Sequence, residues 1–389
     1  MPPEPTRRRR ICFVSGTRAE FGLMRSTLRA IENQPKLQLQ LVITGMHLDR
    51  TRGRNIDEIR REGWRIDAVV PWKNAKSQSE LARQTGLATA RLSQVISNLK
   101  SEIVLVVGDR VEAFAAATAA HLSGGVVAHV HGGDRALGQV DDALRHAITK
   151  LSHIHFPATR QSAQRIAKLG EDRWRIHRVG TPGLDDFAAL MGGRGSGRAA
   201  ARPDPRPPNK PYALLVLHPI DANEGVEFDR ARAVLRAVES IPFENVVIVH
   251  PNNDPGAGGI VRCWRDLPKP ERFIVLPNAP RDRFLALMRD AAVVVGNSSS
   301  GIIEAASFGT PVIDVGPRQL GRERSQNVTN VPYSEPLLRR ALRHIWNDGR
   351  PKRFAKRNVY GGPGAGKRIA RVLSTLRLDA RLRRKLIVY

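Results

Sequence analysis

The sequence predicts an α/β protein built from two Rossmann-like domains. At 389 residues the chain is longer than one ordinary domain, and its 41% hydrophobic content is enough for buried cores. Short apolar segments alternate with amphipathic segments in both halves, which is typical of parallel sheets covered by helices on both faces. Between the halves, residues 192–211 are rich in Gly, Pro, Arg and Ala and lack apolar periodicity, so they indicate a linker.

The first half contains four segments of strand length and four of helix length. Strands are expected at residues 11–15, 37–44, 103–107 and 126–131, and helices from residue 21 onward and at 81–99, 111–122 and 141–152. In the segment 81–99 the apolar residues recur at helical spacing and form one stripe. We therefore predict a first domain at 11–191, preceded by a disordered tail at 1–10.

The alternation resumes after the linker. Strands are expected at residues 212–217, 246–249, 273–276, 292–295 and 311–315. We predict a second domain at 212–365 and a C-terminal helix within 366–389 that packs back on the first domain. Because open parallel sheets bind ligands at the carboxyl ends of their strands, we expect the strand-end loops of the two domains to face each other across a cleft.

Composition also limits where the protein works. The longest apolar runs, such as Ile103–Val107, have the length of buried strands, so no membrane span is expected. The basic run Arg7–Arg10 is followed by only four apolar residues, too few for a signal peptide. With only Cys12 and Cys263, a disulfide framework is not expected. We predict a cytoplasmic protein.

The formal net charge of +26 suggests a nucleic-acid partner as one hypothesis. However, Arg and Lys are spread along the whole chain, and aromatic residues are only 5%, so platforms for base stacking are few. We favour arginine at solvated surface positions and expect no nucleic-acid partner. A small anionic substrate is compatible with either interpretation.

The clearest candidate binding loop is Gly296–Gly301. Three consecutive serines stand between two glycines, after an apolar strand and before a helical segment. The unpaired N–H groups and the dipole of such a helix start attract phosphate, and the serine hydroxyls add donors. An ordinary serine N-cap is the alternative. Glu304, one turn further, is placed to reach ribose hydroxyls, and Arg318 is placed to neutralise a diphosphate.

Three loops of the first half also follow apolar strands with polar side chains. They span residues 15–20, 108–110 and 129–146. Asp109 follows a buried strand directly and Asp141 begins a predicted helix, so both are candidate functional carboxylates. Each also has a simpler interpretation as a helix cap.

Histidine pairs two residues apart occur at His129 and His131 and again at His153 and His155. No Cys, Asp and Glu set with zinc spacing accompanies them, so we expect no metal site. The P-loop, the dinucleotide-binding fingerprint and the nucleophile elbow are missing from the sequence.

Several motifs together resemble one known family. They are GTRAEFG (Gly16 to Gly22), VVGDRVEAFAAATAA (Val106 to Ala120), HVHGGDRALGQVDDALRHAITKLSH (His129 to His153), LHP (Leu217 to Pro219), HPNND (His250 to Asp254) and GNSSSGIIEAASFGTPVIDVGPRQLGRERSQNV (Gly296 to Val328). The chain thereby resembles the hydrolysing UDP-N-acetylglucosamine 2-epimerases of sialic-acid biosynthesis over roughly residues 10 to 375. That resemblance implies the GT-B-like two-domain fold of the 2-epimerases.

The resemblance also implies site residues and a reaction. The implied UDP-binding set is Arg18, Arg110, Asn252, Ser298, Ser299, Glu304 and Arg318, and Asp109, Asp141 and His218 are implied around the reacting sugar. In this family the C2 proton is removed and UDP is eliminated, and the resulting 2-acetamidoglucal takes up water to give N-acetylmannosamine. No cofactor is needed, and a homodimer or homotetramer is implied.

One position departs from the family pattern. Many members carry Glu, with an acid–base role, where this chain has His131, and often Glu where it has Asp134. Histidine can transfer protons near neutral pH, so we keep His131 in the catalytic set. The substitution leaves open an epimerase for another nucleotide-activated amino sugar, such as a GDP-linked substrate of legionaminic-acid type. A glycosyltransferase and a non-catalytic nucleotide-sugar binding protein of the same architecture also remain as alternatives.

Overall fold

The computed structural model describes residues 7–48, 55–73, 75, 77–135, 140–185, 187, 211–251, 254–267 and 269–388, without the side chains at 55, 140 and 141. The chain divides into two compact units. Residues 1–188 and 360–389 form the first unit, and residues 189–359 form the second. Most of the predicted linker, 192–210, lies outside the described residues.

The first unit is built on a six-stranded parallel sheet with the order β3-β2-β1-β4-β5-β6. Its strands are β1 Arg9–Ser15, β2 Leu37–Ile43, β3 Ala68–Val69, β4 Ile103–Val107, β5 Val126–Val130 and β6 Ile154–Phe156. The helices that connect these strands are α1 Arg18–Glu32, α2 Asn55–Arg61, α3 Gln78–Asn98, α4 Val111–Leu122 and α5 Val140–Leu151, and α6 Arg160–Lys168 follows the last strand. All five residues of β4 are buried, as expected for a strand covered on both faces.

The second unit repeats this architecture with the order β12-β11-β10-β7-β8-β9. Its strands are β7 Tyr212–Val216, β8 Asn245–Val249, β9 Phe273–Leu276, β10 Val293–Gly296, β11 Val312–Val315 and β12 Val328–Val331. Its helices are α7 Glu224–Glu239, α8 Ala257–Arg265, α9 Arg281–Asp290, α10 Ser299–Ile303 and α11 Glu335–Trp346. The predicted α/β class, with two parallel sheets and alternating helices, is confirmed.

The C-terminal segment belongs to the first unit, which the chain re-enters at Tyr360 rather than at residue 366. It carries helices α12 Ala365–Thr375 and α13 Ala380–Arg383. The Asp185 carboxylate accepts hydrogen bonds from the N–H groups of Gly364, Ala365 and Gly366 at 2.7, 2.8 and 2.7 Å, and so caps α12. Gly366 lies so close to the backbone of Thr27 on α1 that a side-chain carbon would be 2.8 Å from it.

The first strand starts earlier than predicted. Arg9 and Arg10 were expected in the disordered tail but open β1. The Arg9 guanidinium donates to the carbonyl oxygens of Leu373 and Leu376, and the Arg10 N–H donates to Glu102 at 3.1 Å. These contacts with distant parts of the chain extend the strand, because they give hydrogen-bond partners to the polar groups of Arg9 and Arg10. The sequence around these two residues does not reveal such partners.

Both sheets reverse their strand order at the centre, between β1 and β4 in the first unit and between β7 and β10 in the second. Ligands of open parallel sheets bind outside the carboxyl ends of the strands at this switch point. The loops after these four strands are therefore the first places to examine. None of the helices within the described ranges has the length and apolarity that crossing a membrane requires.

Candidate functional site

The loop after β1 is held by a buried carboxylate. Thr17 caps α1, and Glu20 completes a capping box. Glu20 accepts hydrogen bonds from the N–H groups of Gly16 and Thr17, both at 2.9 Å. Burial raises the pKa of the Glu20 carboxyl to about 7, and the negative charge of Glu112 also raises it. The backbone that leads into α1 is thus fixed from inside the protein.

The two predicted nucleotide-binding arginines of the first unit are each paired with a glutamate. Arg18 contacts Glu58 at 3.2 Å, and Arg110 contacts Glu112 at 3.2 Å. Arg110 is the N-cap residue of α4, so the alternative interpretation of Asp109 as the cap of this helix is wrong. The two arginine side chains are 66% and 43% exposed and remain accessible to an anion.

Arg145 joins Asp109 to the strand end of β5. Its side chain lies on α5, and the residue is only 5% exposed. One guanidinium nitrogen forms an ion pair with the Asp109 carboxylate, and another donates to the backbone oxygen of His131 at 3.1 Å. Two residues that the sequence placed at different strand ends are therefore held side by side by one buried cation.

The His131 ring is held through both of its nitrogens. Nδ1 lies 2.7 Å from Oδ2 of Asp134, and Nε2 lies 2.9 Å from Oγ1 of Thr181. Ser162 donates to the other Asp134 oxygen at 2.8 Å. The backbone of His131 has a φ of 62°, a left-handed conformation that is costly for a residue with a side chain. The ring contacts and the Arg145 hydrogen bond hold His131 there, which gives its ring a defined direction.

His129 has a different, structural role. Its Nε2 lies 2.8 Å from the backbone oxygen of Gly108, and its Nδ1 lies 3.2 Å from Oγ1 of Thr149. Burial lowers the pKa of the His129 imidazole to about 3, so the ring stays neutral at ordinary pH. Its neutral ring links β4, β5 and α5 and does not act as a general acid.

Two further predictions concern Asp141 and metal binding. Asp141 lies in the first turn of α5, and its side chain is outside the described residues. Among the residues whose positions are described, no group of three His, Cys, Asp or Glu side chains is arranged to hold a metal ion.

In the second unit the completely buried Asn297, which follows β10, forms hydrogen bonds with residues that follow β7 and β11. Its side-chain Oδ1 accepts from the His218 N–H at 2.7 Å, and its Nδ2 donates to the His218 backbone oxygen at 2.8 Å. Its own backbone oxygen accepts from Arg318 at 3.1 Å and from Gln319 at 2.8 Å. The preceding residue, Gly296, has a φ of 135°, and a side chain there would clash with the Val216 carbonyl. The predicted residues His218 and Arg318 are thus brought to one point.

The serine loop follows directly. Ser298 is the N-cap of α10, and its hydroxyl accepts from the Ser300 N–H at 3.4 Å. A capping hydroxyl keeps its own O–H donor, so the predicted phosphate contact stays a prediction. Ser299 is the first residue of α10. Glu304 ends this helix and accepts from Arg281 at 2.9 Å. Asn252, the other predicted nucleotide contact, lies outside the described residues.

The two units thus present different chemistry. The first unit gathers a carboxylate, a buried guanidinium and a histidine–carboxylate pair, which is a set of groups able to take and give protons. The second unit gathers serine hydroxyls, backbone N–H groups and Arg318, which suit a phosphate or diphosphate.

Sequence reasoning did not assign roles to Arg145, Asp134 or Asn297. A local signal exists for Asp134, which stands three residues after His131 in a loop and can turn back toward it. Arg145 lies 36 residues from its partner Asp109, and Asn297 lies 79 residues from His218, so no spacing rule would have paired them.

The chain is similar to known proteins over most of its length. Residues 29–374 match the sequence model of the family described as UDP-N-acetylglucosamine 2-epimerase. A UDP-N,N'-diacetylbacillosamine 2-epimerase (hydrolyzing) of Legionella pneumophila is 35% identical over 384 residues, which cover 98% of this chain and 100% of the relative. A UDP-N-acetylglucosamine 2-epimerase of Neisseria meningitidis is 33% identical over 346 residues, or 88% of this chain and 89% of the relative.

A solved structure shares the fold. The crystal structure of UDP-GlcNAc 2-epimerase from Neisseria meningitidis bound to UDP-GlcNAc aligns with a TM-score of 0.78 at 19% identity, covering 94% of this chain and 99% of that one. At this level of identity the likeness shows the architecture alone.

Proposed function

Because the chain belongs to the UDP-N-acetylglucosamine 2-epimerase family, we propose that it is a hydrolysing 2-epimerase. In this proposal it converts UDP-GlcNAc and water to N-acetylmannosamine and UDP. The observation that carries the proposal is the set of Asp109, Arg145, His131 and Asp134 at the carboxyl ends of β4 and β5 in the first sheet.

The reaction needs a base at C2 of the sugar and a stabilised leaving group. The C2–H bond breaks and its proton passes to a base, while the C1–O bond breaks and its electron pair leaves with UDP. Water then supplies a hydroxyl group to C1 of the 2-acetamidoglucal, and a proton returns to C2 on the opposite face. Asp109, oriented by Arg145, and the His131–Asp134 pair are the proton-transfer groups of this scheme. The family resemblance adds Asp141 to them.

The second unit supplies the nucleotide contacts in this proposal. Ser298, Ser299 and Arg318 bind the diphosphate, and Glu304 binds the ribose. The position of Arg318, half-buried and tied to the Asn297 carbonyl at 3.1 Å, supports this role because a fixed cation loses little freedom when the anion arrives. From the family resemblance, Arg18, Arg110, Asn252 and His218 complete the substrate contacts.

A second substrate has a specific observation in its favour. The Legionella relative, named for UDP-N,N'-diacetylbacillosamine, aligns over 98% of this chain, whereas the Neisseria relative named for UDP-GlcNAc aligns over 88%. A hydrolysing epimerase acting on the diacetylated sugar would use the same proton-transfer groups. The nucleotide could also be GDP, as the departure at His131 left open.

A proton NMR time course in D2O tests the proposal. The purified protein is incubated separately with UDP-GlcNAc, with UDP-N,N'-diacetylbacillosamine and with the GDP-linked form of the second sugar. Free 2-epimerised sugar carrying deuterium at C2, with nucleoside diphosphate released in step, supports the hydrolysing epimerase and identifies its substrate. Intact nucleotide sugars in all three tubes would refute it and leave the binding-protein alternative.

Two variants separate the proposed roles. Asp109→Asn should abolish turnover and retain UDP affinity, whereas Arg318→Ala should weaken UDP binding. Exposed residues of the second unit provide matched controls, Asp266→Asn and Arg262→Ala, which should behave like the wild type. Normal turnover of Asp109→Asn, or unchanged UDP affinity of Arg318→Ala, contradicts the assigned role.

A further inference from the structure

Asn297 forms hydrogen bonds with three separate segments of the second unit. Its carboxamide forms two antiparallel hydrogen bonds with the backbone of His218, at 2.7 and 2.8 Å, and donates a third to the Tyr333 hydroxyl at 3.2 Å. Its backbone oxygen accepts from Arg318 and Gln319. His218 after β7, Arg318 and Gln319 after β11, and Tyr333 before α11 thus all contact one residue.

These contacts need a donor and an acceptor in one planar group. The His218 N–H needs an acceptor and the His218 carbonyl needs a donor, which a carboxamide offers at every pH and a carboxyl group offers only when it is protonated. Asn297 is 0% exposed, so water cannot replace either partner if one is removed. Ser298, the N-cap of α10, follows in the chain, so any displacement of Asn297 also moves the serine loop.

We propose that Asn297 is a positioning residue that couples the placement of His218 to the nucleotide-binding loop. The inference rests on the proposed function, in which His218 lies at the sugar and Ser298, Ser299 and Arg318 bind the diphosphate. Asn297 touches neither sugar nor phosphate in this scheme. It acts by holding the His218 backbone and the loop in one fixed relation.

The variant Asn297→Asp keeps the shape of the side chain and replaces its NH2 donor by an oxygen. It therefore tests whether the hydrogen bond to the His218 carbonyl is needed. When ionised, the new carboxylate accepts the His218 N–H but repels the His218 carbonyl. When protonated, it donates to the carbonyl and accepts the N–H, which restores both bonds. Burial favours the protonated form of such a carboxyl, so recovery should occur within an accessible pH range.

The measurement is the ratio of variant to wild type for kcat and for UDP affinity, between about pH 5.5 and 8.5. Charged and titratable groups around Asn297 are His218, Arg318 and Tyr333, with Glu227 and Arg230 beside Tyr333. The same groups are present in the wild type, which serves as the reference at each pH. At high pH we expect kcat to fall about 100-fold, because a small misplacement of a catalytic group has an effect of this size. UDP affinity should fall about tenfold, as expected for the loss of one buried hydrogen bond. Both should recover at low pH.

A matched control is Asn327→Asp. Asn327 is also buried in the second unit and donates to a backbone carbonyl, that of Thr310, at 2.8 Å. This variant should lose stability, but its kcat and UDP-affinity ratios should not change with pH. A pH response in the control equal to that of Asn297→Asp would overturn the inference, because it would reflect loss of stability alone.

Hydrogen exchange of the His218 amide provides a readout that does not depend on the proposed function. The amide should be protected in the wild type, exchange faster in Asn297→Leu, and regain protection at low pH in Asn297→Asp. If the wild type converts no nucleotide sugar, the proposed function fails, yet exchange and UDP affinity still decide the inference. If Asn297→Leu does not fold, Asn297→Asp decides alone. Ratios of Asn297→Asp that stay flat with pH, or an unchanged His218 exchange rate, refute the coupling.

Discussion

Replacing Glu20 by Gln should change how the stability of the first unit depends on pH. Glu20 is 8% exposed, and burial, together with the charge of Glu112, raises the pKa of its carboxyl from 4.5 to about 7. Between these two values the unfolded chain has released the proton while the folded chain retains it. The free energy of unfolding therefore falls as pH rises through this window and levels off above pH 7.

The size of the effect follows from the difference between the two pKa values, which corresponds to about 3 kcal/mol. Gln carries no titratable proton, and its side-chain oxygen can still accept from the N–H groups of Gly16 and Thr17. The variant should lack this loss of stability. Relative to the wild type, its free energy of unfolding should therefore increase by about 3 kcal/mol between pH 4.5 and 8.

Urea unfolding at a series of pH values measures this difference. Pulsed hydrogen exchange with peptide mass spectrometry follows the unfolding of α1 directly. The unfolding of the first unit is thereby measured separately from that of the second. Glu32→Gln is the control, because Glu32 lies on the same helix with a side chain 41% exposed and pairs with Arg29. If wild type and Glu20→Gln keep a constant difference at all pH values, the assignment of a buried, protonated Glu20 is refuted.

Three other predictions follow from the site and the core. Arg145→Met should lower kcat about 100-fold and leave UDP affinity unchanged, because Asp109 loses its partner, and Arg145→Lys should recover only part of the lost kcat. Steady-state kinetics measures kcat and calorimetry measures UDP affinity. A normal kcat for Arg145→Met would contradict this role. Gly133→Ala should cost at least about 2 kcal/mol, because φ is 73° and the methyl group would clash with the Ser162 carbonyl; an unchanged melting temperature would refute this. Asp185→Ala should remove the cap of α12 and cost about 1–2 kcal/mol, with faster hydrogen exchange in α12; wild-type exchange there would count against the capping role.

Strands with continuous apolar runs could be predicted from sequence, and short interrupted ones could not. Ile103–Val107 contains five apolar residues in succession and was predicted at the bounds observed. The strand Ile154–Phe156 is three residues long with His155 at its centre, and Val328–Val331 carries Thr and Asn between two valines. Such segments become strands because a neighbouring strand supplies backbone partners, and local pattern does not encode a neighbour.

The same distinction applies to the site. Asp109 and His131 stand in loops that follow apolar strands, so their position at the sheet edge could be predicted. His218 was assigned to the site only by the family resemblance. The groups that orient them could not. Arg145 reaches Asp109 from a helix, and Asn297 reaches His218 from another strand end, and both contacts depend on the three-dimensional order of the strands.

The return of the chain to the first unit has a consequence for synthesis on the ribosome. Residues of the second unit, 189–359, are continuous and are all made before Tyr360 appears. The first unit, although it begins at the N-terminus, still lacks α12 over its α1 face and the Lys385 ammonium that contacts Glu171 at 2.8 Å. Domains generally fold as units when their chain is complete. The second half of this protein can therefore finish folding first, while the first half waits for its last residues.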